Sequence, residues 1–455
     1  MSSRVSRIRP GRVVSMTMLA LATACGPAGT SSTTTTVVVA PSPTSVASST
    51  TSVASSTTVN PGTTMPQSTS TTSIATPSTP AETDLVERMV ETMSLRVKAA
   101  QLIMLEFVGA DGSSARQVLA EFPVGGFLMK SANGNFVSAE QVRGLTTLLQ
   151  SESETPLLFA VDQEGGRIDR VRFDGFQRFP SAQVFGTLND PGLTELAAWA
   201  TGVQLAGLGI NVDFAPVADV NLLGDGNPAI GDRAFGDDPE LVSTMAVSAV
   251  RGFQGAGIAA AVKHFPGHGN TTVDSHFGLP VVGIGVEEWM LQDRVPFKAT
   301  IDAGVPMVMV GHISFPALDP DGLPASLSET ITGGELRTGL GFAGVIVTDD
   351  LANMEAVAGW STGERAVMAL VAGADLLLNP GEVGEAVTAI LRAVEEGRVT
   401  EHSIDQALLR ILSLKADLGL LELSPTVPLD AATRDAVTAI GREVTNACAV
   451  AGLDC

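Results

Sequence analysis

The chain has 455 residues, of which 44% are hydrophobic and 17% charged, and its formal net charge is −22. This length accommodates one large domain or two average ones, and the apolar content suits a large core with strands buried on both faces. The negative charge repels phosphate backbones, which excludes nucleic acid as an expected partner.

The N-terminus carries the pattern of an export signal. Four arginines precede a short apolar run that ends in small residues before Cys25, and the run is too short to span a bilayer permanently. We therefore predict a signal peptide over residues 1–24. The four residues before Cys25 resemble a bacterial lipoprotein box, so a lipid on Cys25 would anchor the exported protein in the membrane, facing outward. Cleavage without lipidation, followed by secretion, is the alternative.

A low-complexity segment follows the leader. From residue 26 to residue 81 the sequence is mostly Ser, Thr, Pro, Val and Ala, without a charged side chain. Such a composition cannot build a core, so residues 25–81 are predicted to be the lipidated cysteine and a disordered tether. We expect the folded part to begin near Glu82.

Eight short apolar runs lie between Lys98 and Pro380, and the spacing leaves room for a helix after most of them. Such runs are typical of parallel strands buried on both faces. They begin at Leu102, Val124, Pro156, Ile210, Ile258, Val305, Gly344 and Ala374. Helical stretches between them include residues 193–209, 239–257 and 385–397, and several end in glycine. Strand followed by helix, eight times, predicts an α/β fold of the (β/α)8 TIM-barrel type rather than a doubly wound sheet.

The barrel is predicted to occupy residues 82–424, closing with a helix over residues 401–420. A tail over residues 425–455 follows, with one short helix and both remaining cysteines, Cys448 and Cys455. An exported protein meets an oxidising compartment, which favours a disulfide between them. Two unpaired thiols are the alternative.

Polar residues stand at the predicted ends of the strands, where barrel enzymes place their reactive groups. They are Asp162 after strand three, Asp213 and Asp219 after strand four, Lys263 and His264 after strand five, His312 after strand six, Asp349 and Asp350 after strand seven, and Asn379 after strand eight. These residues are candidates for one site at the rim of the barrel.

The segment KHFPGHGNTTVDSHFGLP, after strand five, is the richest in such groups. It places Asp274 two residues before His276 in a loop rich in glycine and proline. A carboxylate at that spacing would orient the imidazole and favour its protonated form, giving a pair that donates and accepts one proton. The same side chains would also suit a zinc site, although the Lys263 cation would repel a metal. A solvated polar loop is the simplest alternative.

Four segments together resemble the N-acetyl-β-glucosaminidase branch of glycoside hydrolase family 3. They occur in the motif order of that family, between about Glu82 and Leu420, and are AVDQEGGRIDRVR, GNPAIGDRAFG, KHFPGHGNTTVDSHFGLP and VIVTDDLANMEAV. The resemblance implies the TIM barrel that the strand count also predicts. It implies neither a metal nor another cofactor.

The resemblance also implies roles for matching residues. Asp349 would be the nucleophile, His276 the acid/base, and Asp274 the group that orients His276. Asp350 would hydrogen-bond within its own loop. The residues expected to bind the hydroxyls of the terminal sugar are Asp162, Arg170, Arg233, Lys263 and His264. For His268 and His312 we expect only a pocket-lining or loop-bracing role.

The function expected from these features is a retaining, exo-acting N-acetyl-β-glucosaminidase. It would remove terminal non-reducing GlcNAc from muropeptides or similar small cell-wall fragments. A sugar-binding surface lipoprotein without catalysis and a metal-dependent TIM-barrel hydrolase are the alternatives. The sequence leaves open whether water or phosphate accepts the sugar.

Overall fold

The computed structural model describes residues 80–422 and 426–455. The predicted signal peptide, Cys25 and the tether up to residue 79 lie outside the described residues. Within the described ranges, no helix has both the length and the hydropathy that crossing a bilayer requires.

Eight parallel strands form a barrel at the centre of the described chain. They are Ile103–Glu106 (β1), Gly126–Leu128 (β2), Leu158–Val161 (β3), Val212–Asp213 (β4), Ala259–Phe265 (β5), Met307–Val310 (β6), Val345–Thr348 (β7) and Leu377–Leu378 (β8). Strands β1 to β7 are neighbours in chain order, and β8 pairs with β1. A parallel bridge between Val347 and Leu376 joins β7 to β8 and closes the ring. The predicted TIM barrel is confirmed.

Helices follow the strands in the expected alternation. The α-helices of the described residues are Pro80–Thr92 (α1), Leu95–Gln101 (α2), Ser113–Leu119 (α3), Ala139–Glu152 (α4), Ala182–Leu188 (α5), Pro191–Ala206 (α6), Pro239–Gly255 (α7), Val286–Leu291 (α8), Arg294–Asp302 (α9), Thr362–Ala372 (α10), Val383–Glu395 (α11), Glu401–Asp417 (α12) and Ala431–Ala451 (α13). A π-helix, Thr330–Gly339, lies between β6 and β7. The four helical stretches predicted from the sequence correspond to α6, α7, α11 and α12.

The apolar side chains of the strands form a packed core with the surrounding helices. Phe127 on β2 and Phe159 on β3 are register partners, and their rings stack with centroids 6.5 Å apart. Gly126 permits this close approach, because a Cβ there would lie 2.3 Å from the carbonyl oxygen of Leu158. The polar side chains that line the cleft lie towards the C-terminal ends of these buried strands.

The tail packs against the barrel through a helix longer than the short one expected. Helix α13 has 21 residues, begins at the N-cap Asp430, and contacts α5 and α6. Its buried residues include Val437, Ile440 and Val444. Cys448 and Cys455 form a disulfide, the first of the two alternatives left open by the sequence. The tail is therefore part of the folded body.

A buried lysine lies at the N-terminal end of the barrel strands, opposite the end where the strands terminate in polar residues. The side chain of Lys415 on α12 is fully buried, and its Nζ donates a hydrogen bond to Oε1 of Gln101 at 3.0 Å. Gln101 in turn donates to the carbonyl of Pro123, just ahead of β2. Burial lowers the pKa of Lys415 from its ordinary value of 10.5 to about 7. A lysine in this position is costly to charge.

This lysine predicts a pH dependence of stability. Between about pH 7 and 10 the unfolded chain binds a proton at Lys415 that the folded chain lacks, so the free energy of unfolding rises with pH. In Lys415→Met this contribution disappears. We expect the difference between wild type and variant to change by about 1 kcal/mol per pH unit between pH 8 and 10, measured by urea unfolding. Parallel pH profiles for the two proteins would contradict the assignment.

Candidate active site

The C-terminal ends of the strands surround a cleft of about 420 Å³. Every residue to which the sequence assigned a catalytic or sugar-binding role lines it. These residues are Asp162, Arg170, Arg233, Lys263, His264, Asp274, His276 and Asp349. The cleft has the size of a small-molecule site and carries an unusual density of charge.

Asp349 follows β7 directly and is buried, with 8% of its surface exposed. Its backbone N–H donates to the carbonyl of Val310 on β6 at 2.9 Å, and its Oδ1 accepts the N–H of Asp350 at 2.8 Å. His312 supports the next peptide, since its Nε2 lies 3.1 Å from the carbonyl oxygen of Asp350. Burial lowers the pKa of His312, so this imidazole is neutral and donates to that oxygen. Its role is loop-bracing, as expected.

Asp274 and His276 form the expected pair. Oδ1 of Asp274 lies 2.7 Å from Nδ1 of His276 and also accepts its backbone N–H at 3.0 Å. Although partial burial opposes ionisation, these hydrogen bonds hold the pKa of Asp274 below its ordinary value. The carboxylate therefore remains charged and favours a proton on Nδ1, which leaves Nε2 for proton transfer.

The loop that carries this pair is tied to the loop that carries Asp349. The carbonyl of Ser275, between the two members of the pair, accepts the N–H of Ala356 at 3.2 Å. Ser275 is buried, and its hydroxyl lies 3.5 Å from the sulfur of Met354. These contacts across the cleft fix the position of the His276 loop relative to the loop after β7.

A buried charge cluster occupies the β3–β5 side of the cleft. Nζ of Lys263 lies 2.7 Å from Oδ1 of Asp162 and 2.6 Å from Oε1 of Glu164. Arg233 donates two hydrogen bonds of 2.8 Å to the two oxygens of Glu164. Burial by itself would raise the pKa of both carboxyl groups, but the neighbouring cations outweigh it and lower both. All four groups are therefore charged, and they balance one another.

Asp213 lies next to this cluster, but its pKa is shifted in the opposite direction from those of the two carboxylates. It is fully buried on β4, its Oδ1 accepts the N–H of Gln163 at 2.9 Å, and its Oδ2 has no hydrogen-bond partner. Burial raises the pKa of Asp213 to about 8. The side chain is therefore a neutral acid at neutral pH and adds no charge to the cluster.

His264 lies at the base of the cleft between an acid and a cation. Its Nδ1 is 2.7 Å from Oδ2 of Asp219, and its Nε2 is 3.3 Å from Nη2 of Arg233. A guanidinium can only donate, so Nε2 accepts and Nδ1–H donates to Asp219. Burial opposes ionisation of Asp219, but His264 outweighs it and lowers its pKa. Arg170 differs from these paired groups, because its Nε is buried without a hydrogen-bond partner.

A second polar network occupies the β1–β8 side of the cleft, and the sequence interpretation named its members Asp350 and Asn379 but missed Glu106 and Lys130. Lys130 after β2 forms ion pairs with Glu106 and with Asp350, the latter at 3.1 Å. Asn379 donates to both carboxylates, at 3.1 and 2.9 Å, and Asn353 does the same at 2.9 Å to each. Burial would raise the pKa of Asp350, but Lys130 outweighs it and lowers the pKa to about 2. This network joins the ends of β1, β2, β7 and β8.

The missed residues carry signals that the sequence contained. Glu106 and Lys130 stand at the ends of strands one and two, where the same rule that selected Asp162 applies. Glu164 lies two residues after Asp162 within the AVDQEGG segment. His268, expected only to line the pocket, does so with both ring nitrogens unpaired. Among the described residues, no group of three His, Cys, Asp or Glu side chains is arranged to hold a metal ion.

Comparison with known proteins places these residues in a family context. Residues 94–414 match the family model of the glycosyl hydrolase family 3 N-terminal domain. A curated relative, a beta-hexosaminidase of Stenotrophomonas maltophilia (strain R551-3), is 38% identical over 264 residues, which cover 56% of this chain and 77% of the relative.

Two solved structures share the fold. A glycoside hydrolase family 3 beta-N-acetylglucosaminidase from Paenibacillus sp. str. FPU-7 is 39% identical, with a TM-score of 0.71, over 77% of this chain and 68% of that one. A beta-N-acetylhexosaminidase from Beutenbergia cavernae DSM 12333 is 31% identical, with a TM-score of 0.67, over 71% of this chain and 99% of that one.

The charge cluster predicts a marked effect on stability. Glu164→Gln removes the carboxylate that Lys263 and Arg233 share and leaves two buried cations with one carboxylate between them. We expect the free energy of unfolding to fall by about 3 kcal/mol, measured by urea denaturation. The matched control, Asp232→Asn, breaks an exposed pair with Arg167 and should cost less than about 1 kcal/mol. Equally small losses in both variants would show that the cluster does not stabilise the fold.

Proposed function

Because the chain belongs to glycosyl hydrolase family 3, we propose that it is a retaining, exo-acting N-acetyl-β-glucosaminidase acting on muropeptides or similar cell-wall fragments. The chain is a glycosidase, and its relatives named beta-hexosaminidase and beta-N-acetylglucosaminidase support release of GlcNAc. Retention of configuration and the cell-wall substrate are the finer parts of the proposal.

One observation carries the proposed mechanism. The cleft that holds a buried carboxylate, Asp349, also holds a carboxylate–imidazole pair, Asp274 and His276, from the same barrel. This arrangement supports the proposal that the nucleophile and the proton donor of a glycosidase come from one domain.

In the first step, an oxygen of Asp349 attacks the anomeric carbon as the bond to the leaving group breaks. His276, as imidazolium, gives its Nε2 proton to the departing oxygen, so the leaving group departs as a neutral alcohol. The products are a glycosyl ester on Asp349 and a neutral imidazole. Asp274 holds the ring through Nδ1 and stabilises its charged form before transfer.

In the second step, His276 takes a proton from the acceptor, whose oxygen attacks the anomeric carbon and releases Asp349. Two displacements on opposite faces restore the original configuration, which is retention. With water the product is free GlcNAc, and with phosphate it is GlcNAc 1-phosphate. Mass spectrometry of the products formed with and without phosphate distinguishes these acceptors, and early NMR spectra of the product anomer test retention.

The charge cluster is the proposed site for the terminal sugar. Asp162, Arg170 and Lys263 present charged donors and acceptors to the cleft, and charge-assisted hydrogen bonds are the strong ones for clustered hydroxyls. Arg233 and His264 complete the set. Since these groups are already held by one another, they need little reordering when a sugar binds.

We also propose that the protein is exported and anchored outside the membrane through a lipid on Cys25. The basic, short apolar leader that ends at this cysteine supports export, and the charge-free tether would hold the barrel away from the lipid surface. A small soluble fragment suits such an acidic enzyme better than a densely anionic wall polymer. Mass spectrometry of the mature N-terminus tests the lipid.

Replacement of the nucleophile is the direct test of the mechanism. Asp349→Asn removes the attacking charge with little change in shape, so release of the aryl group from an aryl N-acetyl-β-glucosaminide should fall by at least about 1000-fold while the fold persists. Asp302→Asn, which removes an exposed carboxylate paired with Lys298, is the control and should keep full activity. Full activity in Asp349→Asn would refute the assignment. Loss of wild-type activity on chelation would favour the metal-dependent alternative.

Removal of the proton donor should separate substrates by their leaving groups. His276→Ala loses protonation of the departing oxygen, which matters more for an alkoxide than for a nitrophenolate. We expect kcat/KM to fall about 100-fold or more for a methyl glycoside and much less for a dinitrophenyl glycoside, measured by initial rates. Equal losses on both substrates would argue that His276 has another role.

A further inference from the structure

One exposed aromatic side chain stands out on the rim of the cleft. Phe277 follows His276 directly and has 83% of its surface exposed. The chain contains 17 phenylalanines, three tryptophans and no tyrosine. Among the described residues, Phe277 is the only exposed phenylalanine or tryptophan, and the others are buried or partly buried. An isolated exposed aliphatic residue is ordinary, but a flat aromatic ring beside a site is typical of ligand contact.

The ring is exposed although its backbone is held in place. The N–H of Phe277 donates to the carbonyl of Asp274 at 2.9 Å, which closes a turn around Ser275 and His276. Ser275 is buried and tied across the cleft to Ala356. The exposure of Phe277 is thus a property of an ordered turn, and the same turn fixes His276.

The position of Phe277 relative to His276 determines what it would meet. The ring centroids of the two residues lie 6.5 Å apart with the planes tilted by 49°. His276 lines the cleft, whereas Phe277 lies outside the set of residues that do. Under the proposed function His276 contacts the oxygen of the leaving group, so the adjacent ring lies on the leaving-group side of the scissile bond.

We propose that Phe277 is a specificity-determining residue that stacks on a pyranose ring in the leaving group. The C–H groups on one face of such a ring form an apolar surface that an exposed aromatic ring can cover. Val273, earlier in the same loop, is a further apolar side chain with 39% of its surface exposed. The substrate class is therefore a GlcNAc β-linked to a second sugar, in preference to a GlcNAc linked to a small alcohol. This inference rests on the proposed function.

The test compares two substrates whose leaving groups both require a proton from His276. Methyl N-acetyl-β-glucosaminide and N,N′-diacetylchitobiose both release an aliphatic alcohol, but only the second has a ring in the leaving group. We expect Phe277→Ala to lower kcat/KM for the disaccharide about five- to tenfold and to leave the methyl glycoside within about twofold of wild type. Phe277→Trp should preserve the preference, and Phe277→Leu, which is apolar but not flat, should lose it.

The controls separate stacking from a structural effect. Val137→Ala removes part of a side chain that is 63% exposed on another loop and should leave both substrates unchanged. If Phe277→Ala slows both substrates equally and shifts the pH profile, the residue only holds the turn and the proposal is wrong. Unchanged rates on both would also overturn it while leaving the proposed function intact. Wild type that releases GlcNAc from neither substrate would overturn the proposed function, and this inference with it.

Discussion

The site depends on one buried ammonium group. Lys263 lies near the end of β5 with its Nζ between the carboxylates of Asp162 and Glu164, and Glu164 in turn pairs with Arg233. Removing any one of these charges from water would be unfavourable alone, but two cations and two carboxylates compensate one another. The neutral acid Asp213 adds no charge to this group of two cations and two carboxylates. Sugar-binding groups are thus ordered before a sugar arrives.

The two sides of the cleft are organised differently, and each suits a different part of the proposed reaction. On the β3–β5 side, the charged groups face a space where the sugar would lie. On the β1–β8 side, Lys130, Glu106 and the two asparagines are directed at Asp350, the neighbour of Asp349. Asp350 is thereby engaged by its neighbours, which leaves Asp349 as the carboxylate of the pair that is available for the proposed role of nucleophile.

The sequence predicted those features of the barrel whose geometry requires a particular type of residue. Unbroken apolar runs predicted each strand, since a strand in a closed parallel barrel is buried on both faces, and strand ends located Asp162, Lys263 and Asp349. It could not predict that Asp213 is neutral or that Arg170 has a free Nε, because both follow from burial and from partners distant in the chain. The length of α13 was also underestimated. The sequence alone does not show that a face of the barrel covers Val437, Ile440 and Val444 and so stabilises the whole helix.

The hydrogen bond between the loops after β5 and β7 explains how a glycine-rich segment can hold the proposed acid/base in one position. The segment after β5 is rich in glycine, which by itself would give the His276 imidazole many positions. The hydrogen bond from Ala356 to Ser275 and the turn closed by Asp274 remove most of this freedom. Because the same turn presents both His276 and Phe277, the proposed proton transfer and the proposed recognition of the leaving group would be coupled by covalent geometry. A substrate ring that seats on Phe277 would therefore be brought into register with the proton donor, and alignment of this kind lowers the entropic part of the barrier.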